Sequence, residues 1–93
     1  MINQNLVYGQ FVTSKAGRDR GKLYIVTGFG KGCVWLSDGS KKGVCTPKRK
    51  NVRHVQPIHC INEELGKCIA SGTPVPDGMI EKAIKLYESN NQM

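Results

Sequence analysis

The stretch from Ser14 to Lys22 combines the residue types of a loop that binds phosphate groups. Gly17 and Gly21 let the backbone turn tightly, and glycines also let backbone N–H groups approach a phosphate closely. Four cationic side chains lie beside these glycines: Lys15, Arg18, Arg20 and Lys22. The spacing differs from the Gly-x4-Gly-Lys-Ser/Thr loop of nucleotide hydrolases, and no helix is predicted after it. The stretch therefore predicts contact with a polyanion rather than nucleotide hydrolysis.

Positive charge is concentrated in the first 58 residues of the chain. The 93 residues include 14 Lys and Arg against 7 Asp and Glu, a net charge of +7. Residues 1–58 hold eleven basic and two acidic residues, whereas residues 59–93 hold three basic and five acidic ones. Such asymmetry predicts one part that binds a polyanion and a second part with another role.

Ten of the basic residues fall into three clusters, at 15–22, 41–42 and 48–53. Arginine suits bidentate phosphate contacts or stacking on an unpaired base, and lysine suits neutralisation of phosphate charge. We expect Asp19 to cap the turn or to orient Arg18 or Arg20. The ten candidate binding residues are Lys15, Arg18, Arg20, Lys22, Lys41, Lys42, Lys48, Arg49, Lys50 and Arg53.

The residues that could support other chemistry are few. Cys33, Cys45, Cys60 and Cys68 lack the Cys-x-x-Cys spacing of structural zinc sites, so we expect reduced, buried thiols and no metal. A cysteine-based metal or redox module stays open as an alternative, since His54 and His59 lie near Cys60 in sequence. Glu63 and Glu64 are adjacent on a predicted helix and point about 100° apart, unlike a converging catalytic pair. We therefore expect no enzyme activity and no cofactor.

Short strands separated by glycine and proline are predicted for the first part of the chain. Asp38-Gly39-Ser40 indicates a hairpin turn, Pro47 ends the fourth strand, and Pro57 ends the fifth. Five strands within 50 residues, with turns at near-regular spacing, predict a small, strongly bent barrel. A doubly wound sheet is excluded, because no crossover helix has room between the strands. The predicted strands are 9–14, 23–27, 33–37, 43–46 and 51–56.

Two helices are predicted after residue 58, which divides the chain into a barrel at 1–58 and a helical extension at 59–93. Asn62 is a candidate N-cap, and Gly72 would end the first helix. The second should begin near Asp77 or Gly78, and the last residues, 90–93, should fray. It carries an apolar stripe, Ile80, Ala83, Ile84 and Tyr87. We expect both helices to pack on the barrel; the alternative is that the stripe binds a protein partner.

A longer series of segments lies within residues 6–58. It begins with Gly9-Gln10-Phe11-Val12, continues through the loop with Gly17 and Gly21, and includes Lys22 and the apolar strand after it. This series resembles a KOW motif. Residues 6–58 are similar to the ribosomal protein L-fourteen-e type of archaeal and eukaryotic large subunits and to its short bacterial KOW-domain relatives. The segments that carry this closer similarity are Ser-Lys-Ala-Gly-Arg-Asp-Arg-Gly at 14–21, Asp38-Gly39 and Pro47-Lys48-Arg49-Lys50.

This resemblance implies that the barrel is SH3-like. Together with the two helices predicted from the residue pattern, the expected fold is mostly β with an α appendage. It also implies RNA binding on a ribosome or another ribonucleoprotein. The ten basic residues of the three clusters are then the expected RNA contacts. We expect a cytoplasmic protein, because Met1–Asn5 carry no basic charge and no long apolar stretch follows. Its expected partner is structured RNA, above all ribosomal RNA or the large ribosomal subunit, and not a membrane. The alternative is a protein-interaction module of a transcription or translation complex. Among the aromatics, Phe29 is expected to be the most exposed.

Overall fold

The computed structural model describes residues 6–90, in which a five-stranded antiparallel sheet is followed by two helices. The strands occur in the order β4-β3-β2-β1-β5. This arrangement confirms a mostly β fold with a helical appendage. Residues 1–5 and 91–93, which include most of the segment predicted to fray, lie outside the described residues. The elements are β1 (Gln10–Ser14), β2 (Leu23–Gly30), β3 (Cys33–Ser37), β4 (Lys48–Asn51), a 3-10 turn (Val52–His54), β5 (Val55–Ile61), α1 (Glu63–Ala70) and α2 (Asp77–Asn90).

The sheet is curved, because its two edge strands are consecutive in the chain. β4 ends at Asn51 and β5 begins at Val55, and four residue steps span at most about 13–14 Å. The edges of a flat five-stranded sheet would be about 19 Å apart. The short connection can be made only if the sheet curls and brings its two edges toward each other.

Residues 43–46, predicted as the fourth strand, do not form one. Gly43 and Thr46 are joined by a turn, in which the Thr46 N–H donates to the Gly43 carbonyl at 3.2 Å. The Val44 N–H donates to Asp77 Oδ1 at 2.7 Å, so it cannot pair with a neighbouring strand. Pairing with β3 starts only at Lys48, opposite Leu36, and the tight hairpin predicted at Asp38 is instead a loop over residues 38–47.

The fifth strand was predicted to end at Pro57, but β5 runs on to Ile61. It pairs only with β1 and therefore forms an edge of the sheet. An edge strand tolerates proline, since the missing N–H can face away from the hydrogen-bonded neighbour. The predicted start, residues 51–53, contributes to β4 and the 3-10 turn instead. The sheet thus extends three residues past the predicted boundary at 58.

Alternating side chains of the strands enter two separate apolar clusters. On the inner face of the sheet, Val12 and Val26 pack with Tyr24, Val34, Leu36 and Val55. On the outer face, Phe11, Leu23 and Ile25 pack against the helical part of the chain, through Leu65, Val75, Ile80, Ala83 and Ile84. The apolar stripe of α2 is therefore core.

The helix boundaries follow the signals in the sequence. The Asn62 side chain accepts a hydrogen bond from the Leu65 N–H at 3.0 Å, which confirms Asn62 as the N-cap of α1. α2 begins at Asp77, as predicted. Within residues 6–90 the longest helix has 14 residues, too short to cross a bilayer, for which about 20 apolar residues are needed.

Candidate nucleic-acid interface

The glycine-containing loop between β1 and β2 is closed by its own backbone hydrogen bonds. The Gly21 N–H donates to the Ser14 carbonyl at 2.8 Å, and the Ser14 N–H donates to the Lys22 carbonyl at 3.0 Å. Gly17 and Gly21 both adopt a φ of +86°, where a side chain would be strained. The two glycines thus do what the sequence predicts, and they give the loop a defined shape.

Asp19 turns inward from this loop and lies at the centre of a polar cluster. Its carboxylate accepts hydrogen bonds from the Ser14 hydroxyl at 2.8 Å and from the Tyr24 hydroxyl at 2.9 Å. Lys50 Nζ donates to Asp19 Oδ1 at 2.9 Å, and Lys48 Nζ lies 3.4 Å from Oδ2. Of the two roles predicted for Asp19, the orientation of Arg18 or Arg20 is wrong, because its four side-chain partners come from β1, β2 and β4.

Lys50 is a structural residue rather than an open surface cation. Its side chain is only 10% exposed, and its ammonium group also donates to the Ala16 carbonyl at 2.9 Å. One lysine of β4 thereby fixes both the carboxylate and the backbone of the β1–β2 loop. Lys48, which is 33% exposed, retains part of its surface for a ligand.

Asp38 plays the corresponding role for the loop after β3. Its carboxylate lies 2.7 Å from Lys22 Nζ, and it accepts hydrogen bonds from the N–H groups of Ser40 and Lys42, each at 2.9 Å. The Lys22 ammonium group also lies 5.5 Å from the centre of the Tyr24 ring. Asp38 therefore holds the segment with Lys41 and Lys42 beside the β1–β2 loop.

The partners of the two carboxylates alter their acidity. Partial burial alone would raise the pKa of Asp19, but hydrogen bonds from Lys50, Ser14 and Tyr24 outweigh it and hold that pKa far below its ordinary value. Burial likewise opposes the effect of Lys22 on Asp38, whose pKa is also lowered. Burial and the adjacent Asp19 carboxylate raise the pKa of the Tyr24 hydroxyl. Both carboxylates are therefore ionised at neutral pH.

Seven of the ten candidate cations remain exposed and form no ion pair within residues 6–90. They belong to all three predicted clusters. Lys22, Lys48 and Lys50 are the three that pair with Asp19 or Asp38. The seven exposed cations are Lys15, Arg18, Arg20, Lys41, Lys42, Arg49 and Arg53.

Direct contacts join the three clusters into one surface, which we call the basic surface and define as residues 15–22, 38–42 and 48–54. Lys50 connects β4 to the first loop, and Lys22 connects that loop to Asp38. The Lys15 N–H donates to the His54 carbonyl at 2.7 Å, which places the 3-10 turn and Arg53 beside the loop as well. Ten cations and two carboxylates give this surface a net charge of +8.

The residues that organise this surface could not be identified from the sequence. Ser14 and Tyr24 are ordinary strand residues in the sequence, and nothing in their types indicates that both donate to Asp19. The one signal in the sequence is Asp19 itself, the single acid among the four cations of residues 15–22.

The burial of the cysteines differs from the prediction. Only Cys33 is buried, whereas Cys60 and Cys68 are half-buried and Cys45 is exposed, so the expectation of four buried thiols is wrong. Within residues 6–90, no group of three or more His, Cys, Asp or Glu side chains is arranged to hold a metal ion.

Phe29 is 44% exposed, the most exposed aromatic side chain among the described residues, as predicted.

No protein-family model matches the chain, and no curated protein is significantly similar to it. The properties of the site therefore follow from its own residues: a shaped, glycine-containing loop, two internal carboxylates and seven outward-facing cations.

Proposed function

We propose that this protein binds structured RNA through the basic surface, without catalysis. The observation that carries the proposal is that Asp19 and Asp38 use three lysines to join separate basic segments, while seven other cations stay exposed. A surface that served only solubility would not need internal carboxylates to gather its cations in one place.

The chemistry of the exposed cations fits a phosphate backbone. Arg18 and Arg20 extend from a loop whose shape is fixed before any ligand binds, so little conformational entropy is lost on binding. Their planar guanidinium groups can form two parallel hydrogen bonds to one phosphate. Counterions released from the nucleic acid supply much of the binding free energy.

The preference for RNA over DNA rests on the resemblance to KOW-domain proteins. The strand order, the curvature of the sheet and the 3-10 turn between β4 and β5 support the SH3-like barrel that this resemblance implies. A ribosomal RNA site on the large subunit is the specific form of the proposal. The protein-interaction alternative was expected to use the stripe on α2, but Ile80, Ala83 and Ile84 of that stripe are buried.

Charge reversal with a matched control tests the proposal. Arg18→Glu combined with Arg20→Glu should weaken binding to a labelled RNA hairpin by about 10- to 100-fold at ~0.1 M salt. Fluorescence anisotropy measures this change. The control, Lys67→Glu combined with Lys82→Glu, alters net charge equally at exposed positions of α1 and α2. Equal losses for both pairs would show that net charge alone governs binding, and the basic surface would lose its assigned role.

Sedimentation of the tagged protein in cell lysate tests the ribosomal form of the proposal. Migration with the large subunit at low salt, and release at high salt, is the expected result. Migration only at the top of the gradient, with no RNA recovered at either salt, would contradict it.

A further inference from the structure

A second feature lies on the outer face of the sheet, next to the basic surface: an open apolar groove of about 510 Å³. Its floor includes Thr27 and Trp35, its sides include Val44 and Pro47, and the 72–75 connector between the helices forms its far wall. None of its lining residues carries a charge. The volume falls within the range of about 300–1,000 Å³ that is typical of pockets for small ligands.

Trp35 is held in place from beneath. A Cβ atom at Gly28 would lie 3.1 Å from Trp35 Cδ1, so the glycine allows the indole ring to lie close against β2. The Thr27 hydroxyl donates to the Trp35 carbonyl at 3.3 Å. The ring is only partly buried, although nearly all other side chains of β3 belong to the core.

Positive charge adjoins this apolar floor. Arg49 lies directly opposite Trp35 in the β3–β4 ladder, so the two side chains leave the sheet on the same face. Arg49 is exposed, and its neighbours Lys48 and Lys50 belong to the Asp19 cluster. Because side chains alternate along a strand, Lys48 and Lys50 leave β4 on the opposite face, toward Asp19, and Arg49 is the β4 cation on the face of the groove. The carboxylate of Asp77 accepts a hydrogen bond from the N–H of Val44, which lines the groove.

We propose that the groove binds one unpaired base of an RNA, which stacks on Trp35 while Arg49 contacts the adjoining phosphate. This inference rests on the proposed function and adds a requirement for single-stranded bases to it. A nucleobase is planar and uncharged and is always attached to an anionic phosphate, which matches an uncharged groove beside an exposed arginine. Stacking on an aromatic side chain does not depend on base identity, so the site selects unpaired over paired RNA rather than one sequence.

The fluorescence of Trp35 reports on the site directly, because it is the one tryptophan in the chain. Titration with a short single-stranded RNA should quench the emission, since a stacked base lies against the indole ring. Inorganic polyphosphate, which has the charge but no bases, should bind the basic surface and leave the emission unchanged. Anisotropy of a labelled RNA follows binding independently of the tryptophan.

Substitution supplies the second measurement. Trp35→Leu should weaken binding of the single-stranded RNA roughly 5- to 150-fold and leave polyphosphate binding unchanged. Trp35→Phe, which keeps an aromatic ring, should retain most of the affinity. Phe29→Leu is the matched control, because it removes an exposed aromatic side chain outside the groove. Circular dichroism establishes that each variant is folded, and the quenching of the wild type does not depend on any variant.

The outcomes separate this inference from the function on which it rests. RNA that binds by anisotropy without quenching, and with equal affinity for Trp35→Leu, would overturn the groove as a base site and leave the basic surface as the RNA site. Quenching by a proline-rich peptide, and not by RNA, would assign the groove to a protein ligand and would also overturn it. Failure of every RNA to bind would remove the proposed function itself.

Discussion

The basic surface and the helix-covered outer face of the sheet are held together by different forces. The basic surface depends on two carboxylates, Asp19 and Asp38, and the lysines they bind. The outer face depends on apolar burial, with Ile25 and Ile80 fully inaccessible to solvent. Apolar contacts are insensitive to protonation, whereas the carboxylate contacts require ionised groups. The order of the proposed binding surface is therefore coupled to pH, whereas the scaffold beneath it is not.

Replacing one central residue in each region gives the largest expected effects. Ile80→Ala should cost about 2–5 kcal/mol of the free energy of unfolding, since it leaves a cavity in a closed core. Removing one member of a buried ion pair costs about 3–5 kcal/mol. Because Asp19 and Lys50 are 12% and 10% exposed, we expect about 2–4 kcal/mol for Asp19→Ala. Urea denaturation followed by Trp35 fluorescence measures both at pH 7.

The control for Asp19→Ala is Lys85→Ala, which removes the exposed pair of Lys85 and Glu81, 3.9 Å apart, and should cost at most about 0.5 kcal/mol. An equal loss for Asp19→Ala would mean that the polar cluster does not stabilise the fold.

Acid should then distinguish the two regions. The folded-state pKa of Asp19 lies below its unfolded value of about 3.9, so its stabilisation is fully present above that pH and is lost as the pH falls further. The difference in unfolding free energy between wild type and Asp19→Ala should shrink between about pH 5 and pH 2. The difference between wild type and Ile80→Ala should stay nearly constant. Parallel pH profiles for wild type and Asp19→Ala would contradict the role given to Asp19.

Substitution of either of two glycines should change the free energy of unfolding by a smaller amount. Gly21 has a positive φ, and an added Cβ would meet nothing within 4 Å, so Gly21→Ala should cost only the backbone strain of about 1–2 kcal/mol. Gly39 also has a positive φ, but its Cβ would collide with the Asp77 carbonyl at the start of α2. Gly39→Ala should therefore cost an additional ~1–3 kcal/mol. Thermal denaturation of the two variants measures the difference, and equal costs would show that the 38–47 loop does not pack tightly on α2.

Local signals in the sequence predicted the parts of the molecule that depend on local physics. Strand β3, the N-cap at Asn62 and the start of α2 follow from side-chain pattern and capping chemistry, and each was predicted within a residue or two. The fourth strand failed, because the Val44 N–H pairs with Asp77, which lies 33 residues further along the chain. No local pattern contains that contact.

The candidate site shows the same division between local and distant information. The three basic clusters are visible in the sequence. Which lysines form ion pairs with Asp19 depends on the approach of β4 to the β1–β2 loop, which the sequence does not show. To predict that Trp35 lies beside Arg49, the β3–β4 register must be known. That pairing starts at Lys48 and does not involve the predicted strand 43–46. The groove could therefore not be predicted from the sequence.

The salt dependence of RNA affinity tests the central claim most directly. With about 4–6 phosphate contacts, the dissociation constant for a labelled RNA hairpin should rise roughly a hundredfold to two-thousandfold between about 50 and 200 mM salt. Arg18→Glu combined with Arg20→Glu should make the slope of log affinity against log salt less steep by about 2, because two phosphate contacts are lost. The Lys67→Glu and Lys82→Glu control should leave that slope unchanged. A flat salt dependence, or one slope shared by wild type and the Arg18 and Arg20 variant, would contradict RNA binding through the basic surface.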